Sequence, residues 1–248
     1  MKISNIESKF WERDESITRY AKVAPQLFSS EMNLIIPTAL KLNKPFNKIK
    51  ILDLGCGGGR TTKVLYDLGF DVLGIDIAQN LIKELNKNYP EVSANVGDAS
   101  NLDLKDKSYD IVLFSHNSLD YLYPQTQRTK TLKEINRVLK DDGYFIYSSH
   151  TINFLPYNFT LLKTIINNFF QFLTNPGKGY YIEKMQDGSN VITHYSNTKA
   201  IKEELKKAGF LLVRSSKQLI DEQSLTKTFL KNLLSWETYY LAQKHKNL

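Results

Sequence analysis

Ile51-Leu52-Asp53-Leu54-Gly55-Cys56-Gly57-Gly58-Gly59-Arg60 decides the fold: an apolar run enters a loop with four glycines in five positions, and a helical pattern follows. Glycines let backbone approach a ligand where a Cβ would collide, and the helix behind them offers free N–H groups. A tight turn alone needs one or two glycines, so a ligand cradle is the stronger reading. A phosphate loop needs Gly-Lys-Ser/Thr, and Arg60-Thr61 does not place the lysine. A dinucleotide loop aligned on Gly55 and Gly57 needs glycine at position 60, where Arg60 stands. Asp53 would repel a pyrophosphate and suits a cationic ligand.

Outward from the loop the sequence alternates. Residues 50–54, 71–75, 92–96, 109–114 and 143–148 read as strands; 61–68, 79–88 and 126–139 read as helices between them. Such alternation requires crossovers and a mostly parallel sheet covered on both faces. Gly69 caps the first helix and Asp141-Asp142-Gly143 stops the third. Ahead of the sheet, 6–23 and 30–42 read as helices broken by Pro25 and Lys44-Pro45. Beyond the fifth strand, 180–184 and 190–195 flank Asp187-Gly188 as a hairpin, followed by a helix at 198–207 capped by Gly209 and strands at 210–215 and 236–242. The expected organisation is one domain: a helical cap (1–46), a ligand-binding core (47–150), a lid over the sheet's carboxyl edge (151–195) and the rest of the core (196–248).

At these residues the chain resembles the class I S-adenosylmethionine-dependent methyltransferases, small-molecule type, whose mark is an acid followed by G-x-G-x-G at the end of the first strand. Asp53, Gly55, Gly57 and Gly59 supply it. Val72-Leu73-Gly74-Ile75-Asp76-Ile77 is similar to the second strand, with Asp76 where an acid accepts both ribose hydroxyls and Ile77 as an apolar wall for adenine. Val96-Gly97-Asp98-Ala99 resembles the third motif, whose acid accepts from the adenine amino group. Residues 110–114 resemble the fourth strand, with Ser115 beside the cofactor, and 134–143 the helix and turn before the fifth. Tyr20 is similar to an aromatic that closes over the cofactor. The resemblance implies a Rossmann-like α/β fold with a seven-stranded, mostly parallel sheet, S-adenosyl-L-methionine as cofactor, and methyl transfer to an oxygen or nitrogen of a small-molecule acceptor.

Transfer from a sulfonium requires alignment and removal of the acceptor's proton, for which histidine is the usual base. Among four histidines, His116 follows the fourth strand, His150 follows the fifth, and His194 ends the hairpin. Ligands of open α/β sheets bind outside the strands' carboxyl ends, so these three are the catalytic candidates; each is otherwise a hydrogen-bonded structural imidazole. Tyr121, Tyr123, Tyr157, Tyr180 and Tyr181 line the acceptor pocket or pack the lid. No His, Asp and Glu cluster at metal-ligand spacing is evident, so no metal is expected.

The formal charge is +7, from 33 basic against 26 acidic residues, mostly lysine spread over helix faces. That reads as solvated surface more than a nucleic-acid site, although an RNA or protein acceptor, or a cofactor-binding protein without turnover, remain alternatives. The lone Cys56 closes no internal disulfide and the first 20 residues hold no apolar signal segment, so the cytoplasm is expected. The most apolar window, 161–173, is too short and too polar to span a membrane.

Overall fold

β1 (Lys50–Leu54) is buried at its last four residues and β4 (Tyr109–Phe114) at its last five. Strands that are apolar on both faces belong in the middle of a covered parallel sheet, and these two lie side by side with Ile51 opposite Ile111 and Asp53 opposite Leu113. The structure is a computed structural model that describes residues 20–151, 179–184, 190–217 and 237–245.

β2 (Asp71–Asp76) pairs parallel with β1, and β3 (Ser93–Val96) forms the edge beyond it. On the other side, β5 (Leu139–Thr151) pairs parallel with β4 and antiparallel with β9 (Glu237–Lys244), which in turn pairs antiparallel with β8 (Phe210–Lys217). The helices are α1 (Ser29–Lys41), α2 (Arg60–Asp67), α3 (Gln79–Asn88), α4 (Gln125–Val138) and α5 (Thr198–Lys207). Alternation along the strands sorts the core into two layers. Leu52 and Leu54 pack with Leu132, Ile135 and Leu205 on one face, while Ile51 and Ile111 pack with Leu34, Ile35 and Leu65 on the other.

Two expectations change. Among the described residues the sheet has nine strands, because the hairpin β6 (Tyr180–Lys184) and β7 (Asn190–Ser196) joins it. β4 stops pairing with β5 at Tyr147, and β7 takes over the free edge beyond it with Tyr195 opposite His150. The expected stop at 141–143 is instead part of β5: the strand begins at Leu139, and Asp142 (φ 64°) lies in an irregularity between the Tyr109–Leu139 and Ile111–Tyr144 pairs. The first cap helix up to residue 19, the 187–188 turn, Tyr157, the 161–173 window and most of the lid lie outside the described residues. Among the described residues, no helix is long and apolar enough to cross a membrane.

Candidate functional site

The glycine loop leaves β1 at its carboxyl end, beside the ends of β2 and β4. Gly57 lies at φ 52°, in the left-handed region, and from there its N–H donates to Asp76 Oδ2 at 2.8 Å. Gly58, which the motif leaves variable, is required by the cap: a Cβ there would meet Ala21 Cα at 2.6 Å and the Tyr20 carbonyl oxygen at 2.7 Å. The segment before α1 therefore lies directly on the loop, and Gln26 N–H donates to the Arg60 carbonyl.

Asp76 ends β2, nearly buried, and its other oxygen accepts from Ala78 N–H at 2.8 Å. Burial raises its pKa, opposed by the backbone N–H groups of Ala78, Gly57 and Ile77. Each of its oxygens still has a lone pair for a hydroxyl. Ile77 and Val96 are 43% and 52% exposed at the adjoining carboxyl ends of β2 and β3. Asp98 and Ala99 follow β3 half-buried, with Asp98 Oδ1 accepting from Ser100 N–H. A carboxylate with spare acceptor capacity beside two exposed apolar walls fits a ribose joined to a base, so these residues fit the adenosine end of S-adenosylmethionine.

Asp53 sits under the loop and not on its surface. It is 1% exposed, and its Oδ2 accepts from Thr61 and Thr62 hydroxyls at 2.5 and 2.7 Å, which fixes the start of α2. Burial pushes its pKa up to about 6, against those hydroxyls and Arg60, which lower it. Stability held by the protonated carboxyl is present below the ordinary 3.8 and is lost as pH rises through about 6. Asp53→Asn is therefore expected to raise stability by about 1–3 kcal/mol at pH 7.5 and by much less at pH 4, measured by urea unfolding. An equal change at both pH values would show that Asp53 is not buried as a charge.

Sequence reasoning missed Glu31. This fully buried carboxylate of α1 takes Arg60 in two bonds, Nη1 to Oε2 at 2.9 Å and Nη2 to Oε1 at 2.7 Å, and accepts from Phe28 N–H, Ser115 Oγ and Tyr239 Oη. Cap, α2, β4 and β9 thus meet on one carboxylate. Arg60 was visible only as the residue that breaks the dinucleotide pattern; its guanidinium also lies 4.3 Å from the centre of the Phe28 ring. Tyr20 comes over the same place, its ring edge-on to His116 at 6.2 Å. His116 is exposed on one side, with φ 53°. Burial of the rest of the ring, and then the charge of Arg60, hold its pKa down, near 4.

The second cluster lies where β4, β5 and β7 end. His150 is 2% exposed; its Nδ1 lies 3.0 Å from Asp120 Oδ2 and its Nε2 lies 3.1 Å from Asn117 Nδ2. Asp120, wholly buried, also accepts from His150 N–H, Ser149 Oγ and Arg128 Nη1 at 2.6, 2.9 and 2.8 Å. Arg128 is wholly buried too, and its Nε and Nη2 donate to Glu204 at 2.8 and 3.0 Å. His194 Nδ1 lies 3.7 Å from Asp120 Oδ1, too far for a hydrogen bond. Burial alone would raise the Asp120 pKa, but the imidazoles and Arg128 hold it far below the ordinary range. Tyr121 and Tyr195 pack on His150, while Tyr123 and Tyr180 pack together with the Tyr180 hydroxyl on the Leu122 carbonyl. Among the described residues no His, Cys, Asp and Glu group could hold a metal ion.

Residues 52–147 match the methyltransferase domain family. An uncharacterised protein of Methanocaldococcus jannaschii is 32% identical over 205 residues, 79% of this chain and 76% of that protein. A solved S-adenosylmethionine-dependent methyltransferase of Methanosarcina mazei superposes with a TM-score of 0.66 at 21% identity, covering 83% of this chain and 97% of that one. The Burkholderia thailandensis 1,6-didemethyltoxoflavin N1-methyltransferase, solved with its substrate and S-adenosylhomocysteine, gives 0.63 at 16% identity over 98% of this chain and 89% of that one. With its glycine loop, its adenosine-shaped edge and these relatives, the chain belongs to the class I S-adenosylmethionine-dependent methyltransferases.

Proposed function

We propose that the enzyme methylates an oxygen or nitrogen of a small molecule held above the carboxyl ends of β4 and β5. Tyr20, Asp53, Gly55, Gly57, Gly59, Asp76, Ile77, Asp98, Ala99 and Ser115 form or support the cofactor site, and a histidine among His116, His150 and His194 takes the acceptor's proton. The cofactor supplies a methyl group on a positively charged sulfur; the acceptor's electron pair forms the new bond while the C–S pair returns to sulfur. The chain's own part is to align that acceptor and remove its proton.

The observation that carries this reading is the buried imidazole and carboxylate cluster at the ends of β4 and β5, next to the cofactor loop. The similar Burkholderia protein is a 1,6-didemethyltoxoflavin N1-methyltransferase, which supports a small acceptor here. Among the described residues, Lys107, Lys133, Lys207 and Lys244, with Asp141, line a groove of about 610 Å³ at the amino ends of the strands, across the sheet from the site. The single cysteine keeps a reducing cytoplasm as the proposed compartment.

Methyl-labelled cofactor incubated separately with small-molecule, RNA and protein fractions of a cell extract tests the reading. Label is expected in the small-molecule fraction. Label confined to RNA, with binding that survives physiological salt, would transfer the assignment to a nucleic-acid substrate.

A further inference from the structure

Resting on that reading, we propose that His150 is the proton acceptor, that Asp120 is its positioning residue, and that the Asn117 amide accommodates both of its charge states. Ionised Asp120 has no proton to give, so His150 Nδ1 must donate to it, and the Nε2 lone pair remains. Asn117 Nδ2 donates to that lone pair, while Asn117 Oδ1 is buried without a hydrogen-bond partner. When Nε2 gains a proton it becomes a donor, and a half-turn of the amide brings Oδ1 to it. Neither state leaves the imidazole unsatisfied, the usual cost of moving a proton in a buried site.

The other two histidines lack this arrangement. His116 is exposed, and partial burial of its ring and then the charge of Arg60 hold its pKa down, near 4. His194 Nδ1 is buried without a hydrogen-bond partner and lies 3.7 Å from Asp120 Oδ1, too far to be fixed by it. Asn117 adjoins His116 and both adopt left-handed backbone, φ 57° and 53°. Consecutive non-glycine residues there mark a turn held in strain by its surroundings, and such strain collects at working sites.

The groups facing His150 are Asp120 below it, Arg128 and Glu204 behind that, His194 and Tyr195 on β7, Glu237 opposite it on β9, Tyr121 beside it, and His116 beyond Asn117. Arg128 donates to both Asp120 and Glu204, so a single guanidinium lies between the two carboxylates behind the ring. In the step itself the acceptor X–H displaces Asn117 Nδ2 from Nε2 and gives it the proton as X gains the methyl group.

Long-range ¹H–¹⁵N correlation spectra of the labelled protein with S-adenosylhomocysteine test the tautomer without any acceptor. Neutral His150 protonated at Nδ1 and bare at Nε2 is expected; protonation at Nε2 overturns the inference whatever the acceptor proves to be. With labelled cofactor and the small-molecule extract, His150→Gln is expected to lose about 10²- to 10⁴-fold in turnover while calorimetric affinity for S-adenosylhomocysteine changes less than threefold. Asp120→Asn is expected to slow turnover and move the acidic limb of the pH profile to lower pH, since a negative charge that favours the protonated ring is gone. A merely structural Asp120 would leave that limb in place, which, like a His150→Gln variant within threefold of wild type, overturns the assignment. Failure of the wild-type protein to bind the cofactor would instead defeat the underlying functional reading.

Discussion

Arg128→Met is expected to destabilise the folded state by about 3–5 kcal/mol, the range for removing one partner from a buried ion pair. Methionine fills much of the volume, so the loss is electrostatic: Asp120 and Glu204 would keep their burial without the guanidinium between them. Burial raises the Glu204 pKa, but the Arg128 charge and hydrogen bonds outweigh it and lower the net value, as the imidazoles and Arg128 do for Asp120. Carboxyls with lowered pKa contribute stability that is present above their ordinary range and lost as pH falls through their folded values. In the variant that preference reverses, so its deficit in urea unfolding should be largest near pH 7 and shrink toward pH 4. A deficit below 1 kcal/mol at pH 7 would mean that the cluster does not hold the short 3-10 helix Ser118–Tyr121, α4 and α5 together as the geometry describes.

The same cluster shows what the sequence left hidden. The loop and its βαβ neighbours were legible because close backbone approach and two-sided burial constrain residue type locally: glycines at 55 and 57–59, uninterrupted apolar runs in β1 and β4, an acid ending β2. Asp120, Arg128 and Glu204 carry no such mark. On a helical pattern Arg128 and Glu204 read as solvated positions, and only the docking of α4 against α5 and the end of β5 buries Arg128 completely. Glu31 is concealed in the same way, since its partners Arg60, Ser115 and Tyr239 come from positions up to 208 residues away. The strand count was missed for a related reason: that β7 would continue the edge abandoned by β4 depends on where the β4–β5 pairing ends, a register no local pattern encodes.

Asp76→Ala is expected to weaken S-adenosylhomocysteine binding by about 1.5–3 kcal/mol, roughly 10- to 150-fold in calorimetry, the range for hydrogen bonds to a charged acceptor. Two effects reinforce one another. The ribose hydroxyls lose their acceptor, and the Gly57 N–H, held at 2.8 Å by Asp76, loses the bond that sets the loop. Asp76→Asn separates them: its amide oxygen can still accept from Gly57 N–H, with the NH₂ group turned toward Ala78 N–H, while that NH₂ group cannot accept from a hydroxyl. If ribose contact dominates, the asparagine variant should bind nearly as poorly as the alanine one; if loop shape dominates, it should recover most of the affinity. Burial raises the Asp76 pKa and disfavours its charged form, which offsets part of what the folded state loses when the Gly57 and Ala78 N–H groups lose their acceptor. Unchanged affinity in both variants would remove Asp76 from the cofactor site and leave exposed Ile77 and Val96 without the polar group that makes their edge a place for adenosine.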